Sequence, residues 1–154
     1  MPWHQIKYSV FNCPADPSFP NGHIGKRPLL RLDLVNGTAR QTCYAIADSG
    51  ADHCTFPLSF ALQPGFDPLT RVASNTAGVG NGAVPTFYWP VIIDFPGVIS
   101  FEVYAGFTSG LENVGLGLLG QAGFFDKFKV VFDHTAGLFH VETPAPAQAP
   151  PSAP

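Results

Sequence analysis

Apolar and polar residues alternate along several short stretches of the chain, with the two-residue period of a β-strand. Leu30, Leu32 and Leu34 alternate with Arg31 and Asp33, which predicts a half-buried strand. The Asn36-Gly37 pair that follows is a hairpin signal, because both central residues of such a turn need positive φ. Thr42 to Ala47 returns as the second strand and runs straight into Asp48-Ser49-Gly50. Upstream, Ile6, Tyr8 and Val10 alternate and predict a first strand, and Asn12 to Gly25 is broken up by Pro14, Pro17, Pro20 and Asn21-Gly22. Downstream, Pro57 to Leu62 reads as an irregular turn or short helix. Val72 to Ala83, with Gly78, Gly80 and Asn81-Gly82, reads as a second hairpin tip. Phe87 to Phe95 and Val98 to Ala105 are strands joined through Pro96-Gly97, and Leu116 to Gly120 is a short apolar strand ending in glycine. Phe124, Phe125 and Phe128 stand at near-helical spacing and predict one or two turns of helix. Val130 to Phe132 and Leu138 to Val141 close a last hairpin around Ala136-Gly137. The fold class is therefore mostly β with one short helix near the end.

Composition sharpens this picture. The chain has 154 residues, enough for one domain with one sizeable core. Its 16 glycines, 16 prolines and 14 phenylalanines argue against a helical bundle and for short strands with tight turns. Only 12% of residues are charged and the net charge is −3, so nothing suggests a phosphate-tracking surface and no nucleic-acid partner is expected. Cys13, Cys43 and Cys54 are odd in number and lack C-x-x-C spacing, as expected of free buried thiols in a reducing compartment. A zinc site drawn from His53, Cys54, Cys43 and a distant His matches no zinc module, since adjacent strand residues point to opposite faces. Met1 to Gln5 lacks the layout of a signal peptide and no apolar run reaches membrane-spanning length, so the expected location is cytoplasmic, with no membrane partner.

The chemistry concentrates in Ala45-Ile46-Ala47-Asp48-Ser49-Gly50-Ala51-Asp52. A strand of small and apolar residues ends in a carboxylate, followed by a hydroxyl and a glycine. Hydrolysis between two carboxylates needs one to deprotonate water and a second, protonated one to polarise the scissile carbonyl. The hydroxyl can hydrogen-bond across the site, and glycine lets the backbone approach a partner loop. By itself, Asp-Ser-Gly is weak evidence and reads first as a strand ending in an Asx turn.

The order of motifs resembles the retropepsins. The run Lys26-Arg27-Pro28-Leu29-Leu30-Arg31-Leu32-Asp33-Leu34, the Asn36-Gly37 turn, and the strand into Asp48-Ser49-Gly50-Ala51-Asp52 follow the retroviral protease pattern. Leu118-Leu119-Gly120 looks like the paired-hydrophobic-then-glycine element that precedes the family's helix and packs behind its active-site loop. The resemblance implies a closed or partly open β-barrel with one short C-terminal helix. It implies a protease domain over 26–142; outside it lie an N-terminal extension over 1–25, with one strand by its alternation, and a tail over 143–154 whose Pro/Ala-rich composition predicts disorder. Asp48 is then the catalytic residue, and Ser49, Gly50 and Ala51 form the active-site loop. Asp52, Gly78, Val79 and Gly80 would bind substrate, the last three from a flap. Leu118, Leu119, Gly120 and Gln121 would support the loop. No metal or organic cofactor is implied. The family usually carries Arg where Gln121 stands, paired to the Asp after Ala, so a neutral amide here faces Asp52.

Only one Asp-Ser-Gly is present, since Asp94 precedes Phe95 and Asp133 precedes His134-Thr135. A homodimer with one Asp48 from each chain supplies the pair, acting on a peptide or protein substrate. A catalytically inactive dimeric peptide-binding module, and a structural barrel with Asp48 as a turn residue, are the competing readings. Gly115 to Gly120 also matches G-x-G-x-x-G, but that fingerprint needs a strand before it, a helix after it and a βαβ unit around it. His53 beside Asp52 could be a general base, though on a strand leaving the loop it reads better as a surface or subsite residue.

Overall fold

The computed structural model describes residues 2–77 and 82–144. Its strands are β1 (Trp3–Lys7), β2 (Ser9–Cys13), β3 (His23–Arg27), β4 (Leu29–Asn36), β5 (Ala39–Ala47), β6 (Thr55–Pro57), β7 (Ser74–Ala77), β8 (Ala83–Phe95), β9 (Ile99–Thr108), β10 (Gly117–Leu119), β11 (Lys129–Asp133) and β12 (Leu138–Glu142). Single 3-10 turns occupy Leu58–Ala61, Pro68–Thr70 and Ser109–Leu111. The main sheet runs β4-β5-β10-β6-β9-β8-β7, and β8 also pairs with β4, so six of these strands close a ring of pairings. A second sheet, β1-β12-β11, joins the two ends of the chain, and β2 with β3 forms a separate hairpin.

Burial follows the alternation. Leu30, Leu32 and Leu34 of β4 are buried while Arg31 is exposed. They pack with Phe56, Ile93, Phe107, Leu119, Phe124 and Phe139, all fully enclosed, into one core. Asp33 is also buried, because β4 is covered on both edges by β5 and β8. Its carboxylate accepts from Thr42 Oγ1 at 2.6 Å and lies 3.3 Å from Arg40 Nη1, which also reaches Asp94 at 2.8 Å. Ser100 Oγ donates to Asp94 at 2.6 Å, and this bond first, with Arg40 second, holds the Asp94 carboxyl below its ordinary value. A buried carboxylate is tolerable only with such partners.

The structure corrects several expectations. No helix forms at Phe124–Phe128, which is a run of turns. Phe125 N and Asp126 N donate to Gly120 O and Gln121 O, five residues back, and Gly123 sits at φ +104. That backbone cannot propagate a helix, so the near-helical Phe spacing serves turns that clamp Phe124 and Phe128 into the core. The β4–β5 turn centres on Gly37-Thr38 rather than Asn36-Gly37. Asn36 pairs with Ala39 in the ladder and only Gly37 has positive φ, as a type II′ turn requires. Asn36 instead donates its side-chain amide to Pro64 O at 2.8 Å. In place of one strand through Ile6, Tyr8 and Val10 there are two, because Tyr8 N turns away to Gly137 O at 2.8 Å. Thr143, assigned to the tail, is buried, and its N–H donates to Pro2 O at 3.1 Å. The rest of that tail, from residue 145, lies outside the described residues.

Cys43 and Cys54 are both buried, and burial pushes their thiols up to about 12 and about 11 respectively. Both stay protonated at neutral pH and are poor nucleophiles. Cys13 is only half-buried. Iodoacetamide at mildly alkaline pH should therefore label Cys13 first, and Cys43 and Cys54 only when the protein unfolds. Because the folded values are raised, this part of the stability is complete below the ordinary thiol value of 9.0 and is lost as pH climbs through the folded values. Mass spectrometry of the labelled peptides checks the order; equal rates at all three would show that the core opens readily.

Candidate active site

The site begins with β5, whose Ala45 and Ala47 are small enough to be enclosed between neighbouring layers. β10 lies alongside in parallel, with Ala45 level with Gly117, Ile46 with Leu118 and Ala47 with Leu119. The next residue is Asp48, and its N–H donates to Leu119 O at 3.0 Å. The chain then leaves the sheet, and residues 48–54 cross the end of β10. It re-enters as β6 on the other side of β10, with Thr55 level with Leu118. The loop can cross only because residue 120 has no side chain. A Cβ on Gly120 would lie 2.6 Å from Ala51 O and collide with His53 O as well. Gly117 is similarly constrained by the ring of Phe56.

A set of backbone bonds ties the loop down. Gln121 N donates to Ala51 O at 2.8 Å, Ala122 N to Asp52 O at 2.9 Å, and Ala51 N to Asp48 O at 3.1 Å. Gly50 N donates to Asp48 Oδ1 at 2.9 Å, which fixes the plane of the half-buried carboxylate. Gln121 departs from expectation. Its side-chain amide donates to Ser49 O at 2.9 Å and makes no bond to the Asp52 carboxylate. A neutral amide forms no bidentate ion pair with a carboxylate as an Arg would, and the Ser49 carbonyl is presented by the same turn that Gln121 N already holds. Asp52 is left exposed, as are Ser49 and Gly50.

Most other aspartates, Asp67 excepted, have their carboxylates committed to structure. Asp16 accepts from Ser18 N and Phe19 N, Asp126 from Gly123 N, and Asp133 from Ala136 N, each within its own turn. Asp33 and Asp94 are held by Arg40. No group of three or more His, Cys, Asp or Glu comes together in metal-binding geometry among the described residues. The G-x-G-x-x-G run lies across β10, between β5 and β6, and turns rather than a helix follow it, so it lacks the context of a dinucleotide site.

An open groove of about 790 Å³ runs beside the loop. Asp52 and His53 form part of its wall, β7 forms another, and Tyr88 and Tyr104 lie between them. The His53 ring meets Tyr88 edge-on at 5.4 Å, and Tyr88 stacks on Tyr104 at 5.6 Å. Asp48, Ser49 and Gly50 do not line this groove. β7 and β8 form the expected second hairpin, with Ala77 level with Ala83. Its tip, including Gly78, Val79 and Gly80, lies outside the described residues. Tyr88 was not singled out from the sequence, and only its position on a strand that also contributes to the hairpin could have drawn attention to it. A second cavity of about 440 Å³ lies between β1 and the β8–β9 turn, and no residue of 48–54 lines it.

No family model matches this sequence, and no curated protein matches it. Among solved structures, it is similar to the crystal structure of a retropepsin-like aspartic protease from Rickettsia conorii. The TM-score is 0.57 at 16% identity, covering 86% of this chain and 98% of the other. At that identity the likeness is one of fold: the chain has a retropepsin-like, mostly β architecture. No helix among the described residues is long and apolar enough to cross a membrane.

Proposed function

We propose that the protein is an aspartic endopeptidase active as a homodimer, with one Asp48 from each chain. The observation that carries this reading is the Asp48-Ser49-Gly50 loop at the end of β5, clamped across β10 over Gly120 in a retropepsin-like fold. A two-fold axis beside the loop brings two Asp48 carboxylates face to face, and like charges at that range share one proton. The ionised member takes a proton from a water molecule as the water oxygen attacks the scissile carbonyl carbon. The protonated member gives its proton to the carbonyl oxygen, forming a tetrahedral diol. Proton transfer to the leaving nitrogen then breaks the C–N bond. Gly50 N–H on Oδ1 and Gln121 on the Ser49 carbonyl keep the loop from adjusting during these transfers. Substrate enters as an extended strand across the Asp48 loop beneath the β7–β8 hairpin, and the adjoining groove walled by Asp52 and His53 takes residues flanking the cleaved bond. No cofactor takes part. The competing reading, a dimer that grips peptides without cleaving them, draws on the same Gly50–Asp48 bond, which an ordinary Asx turn also makes.

The test is incubation of the full chain with a diverse peptide library from acidic to neutral pH, with products mapped by mass spectrometry. Cleavage should follow dimer concentration, so specific activity should fall on dilution through the dimer dissociation constant. A dimer that binds peptides but cuts none at any pH would establish the binding module instead. Full activity from a demonstrated monomer would remove the shared site.

A further inference from the structure

The β2–β3 hairpin has no structural reason to be apolar on its own. It pairs with no other strand, both its edges are open among the described residues, and a lone two-stranded hairpin is marginal in water. Yet Val10 is 62% exposed and Ile24 66% exposed. The register, with Val10 opposite Lys26 and Asn12 opposite Ile24, sets these two on the same face as diagonal neighbours. Phe11 and Phe19 are exposed as well, Phe11 under the Arg27 guanidinium at 5.2 Å and Phe19 against His23 at 4.4 Å. The hairpin is held firmly at its base. Tyr8 N is bonded to Gly137 O on one side, and Pro28 O accepts from Ala47 N at 3.0 Å on the other.

That second anchor fixes where the arm points. β4 starts at Leu29, level with Ile46, and runs away from the site, antiparallel to β5. The hairpin leading into β4 therefore emerges from the same end of the sheet as Asp48. Five residues of extended strand carry it roughly 17 Å outward. Charge agrees with this direction. Lys26 shares the Val10–Ile24 face, and the loop at the same end carries the exposed Asp52.

We infer that the β2–β3 hairpin is a dimerisation arm that lays its Val10–Ile24 face on a second copy of this chain, beside that copy's acidic loop. The inference rests on the homodimer of the proposed function and adds to it the surface that holds the two copies together. It accounts for exposed apolar residues on an arm whose base abuts a site that is incomplete in one chain.

The experiment compares full-length wild type, Val10→Asp/Ile24→Asp and the milder Val10→Thr/Ile24→Thr, which keeps strand-forming residues while removing apolar surface. Leu62→Asp, at another exposed position, serves as control. Sedimentation velocity over a concentration series gives the dimer dissociation constant, and circular dichroism with thermal melting checks the fold. The Asp variant should raise that constant at least about tenfold with the melting of the monomer unchanged. The Thr variant should raise it by less, and Leu62→Asp should not move it. A wild-type dimer that neither hairpin variant weakens overturns the arm and leaves the dimer reading intact. A wild type that stays monomeric at all concentrations overturns both. Weaker dimers in a protein that cleaves nothing support the arm and sink the peptidase. Unchanged dimers with a raised KM reassign the face to substrate and overturn the inference.

Discussion

Asp48→Asn should lower turnover by a factor of roughly 10²–10⁴ or more while leaving the fold intact. The amide is nearly isosteric with the carboxylate, and its carbonyl oxygen can still accept from Gly50 N, which lies 2.9 Å from Oδ1. The loop conformation thus survives, but an amide cannot take the proton from water. The same substitution should change the dimer in the opposite sense. Two carboxylates facing across the axis cannot both stay ionised cheaply, so forming the wild-type dimer takes a proton up onto the pair. The dimer that binds more protons than its parts is favoured at low pH and weakens as pH rises. Asp48→Asn removes that repulsion, so the mutant dimer should be the tighter one at neutral pH and nearly insensitive to pH across the same range. Peptide cleavage and sedimentation, measured on both proteins at acidic and neutral pH, check the two halves separately. Retained turnover would show that Asp48 is not the base. An unchanged pH dependence of dissociation would show that the two carboxylates do not face one another.

The parts of the structure that the sequence made legible are those in which a local pattern and a tertiary demand coincide. Leu30, Leu32 and Leu34 alternate because one face of β4 meets the core, and that can be read without knowing what β4 pairs with. The pairing of Leu118-Leu119-Gly120 with a loop seventy residues upstream was reachable only through a resemblance, since nothing local in three residues identifies a partner. What escaped was non-local or competed for. β1 finds β12 at the far end of the chain, with His4 Nε2 3.3 Å from Thr143 Oγ1, and no periodicity in either segment encodes the match. Three phenylalanines at helical spacing satisfied a pattern that Gly123 and the bonds back to Gly120 and Gln121 overrode. Gln121 was assigned the partner its position suggested, whereas donor geometry gave it the Ser49 carbonyl. Asp33 looked like the polar half of an alternation, and only the arrival of β8 on its other side buried it.

Gly120→Ala should be the most damaging single-methyl addition among the described glycines. The new Cβ would stand 2.6 Å from Ala51 O and clash with His53 O, and both obstacles are backbone, so no side-chain rotation relieves them. Either β10 retreats from the core, where Leu119 is fully enclosed, or the loop lifts. Lifting the loop stretches Gln121 N to Ala51 O, now 2.8 Å, and Gln121 Nε2 to Ser49 O, now 2.9 Å. Overpacking of this kind costs about 1–3 kcal/mol, and each weakened hydrogen bond adds about 1 kcal/mol. A total near 3 kcal/mol lowers the melting temperature by about 10 °C in a domain of this size. Turnover should fall further than the loss of folded protein explains, because Asp48 rides on the displaced loop and its N–H bond to Leu119 O is part of the same clamp. Gly37→Ala makes the comparison. That residue has φ +60 but nothing within 4 Å of an added methyl, so it should cost only the left-handed strain of about 1–2 kcal/mol and leave turnover per folded dimer alone. Thermal melts and kcat for both variants separate the cases. If Gly120→Ala melts and cleaves like wild type, residues 48–54 are not held down across β10, and the rigid loop on which the two-carboxylate mechanism depends is absent.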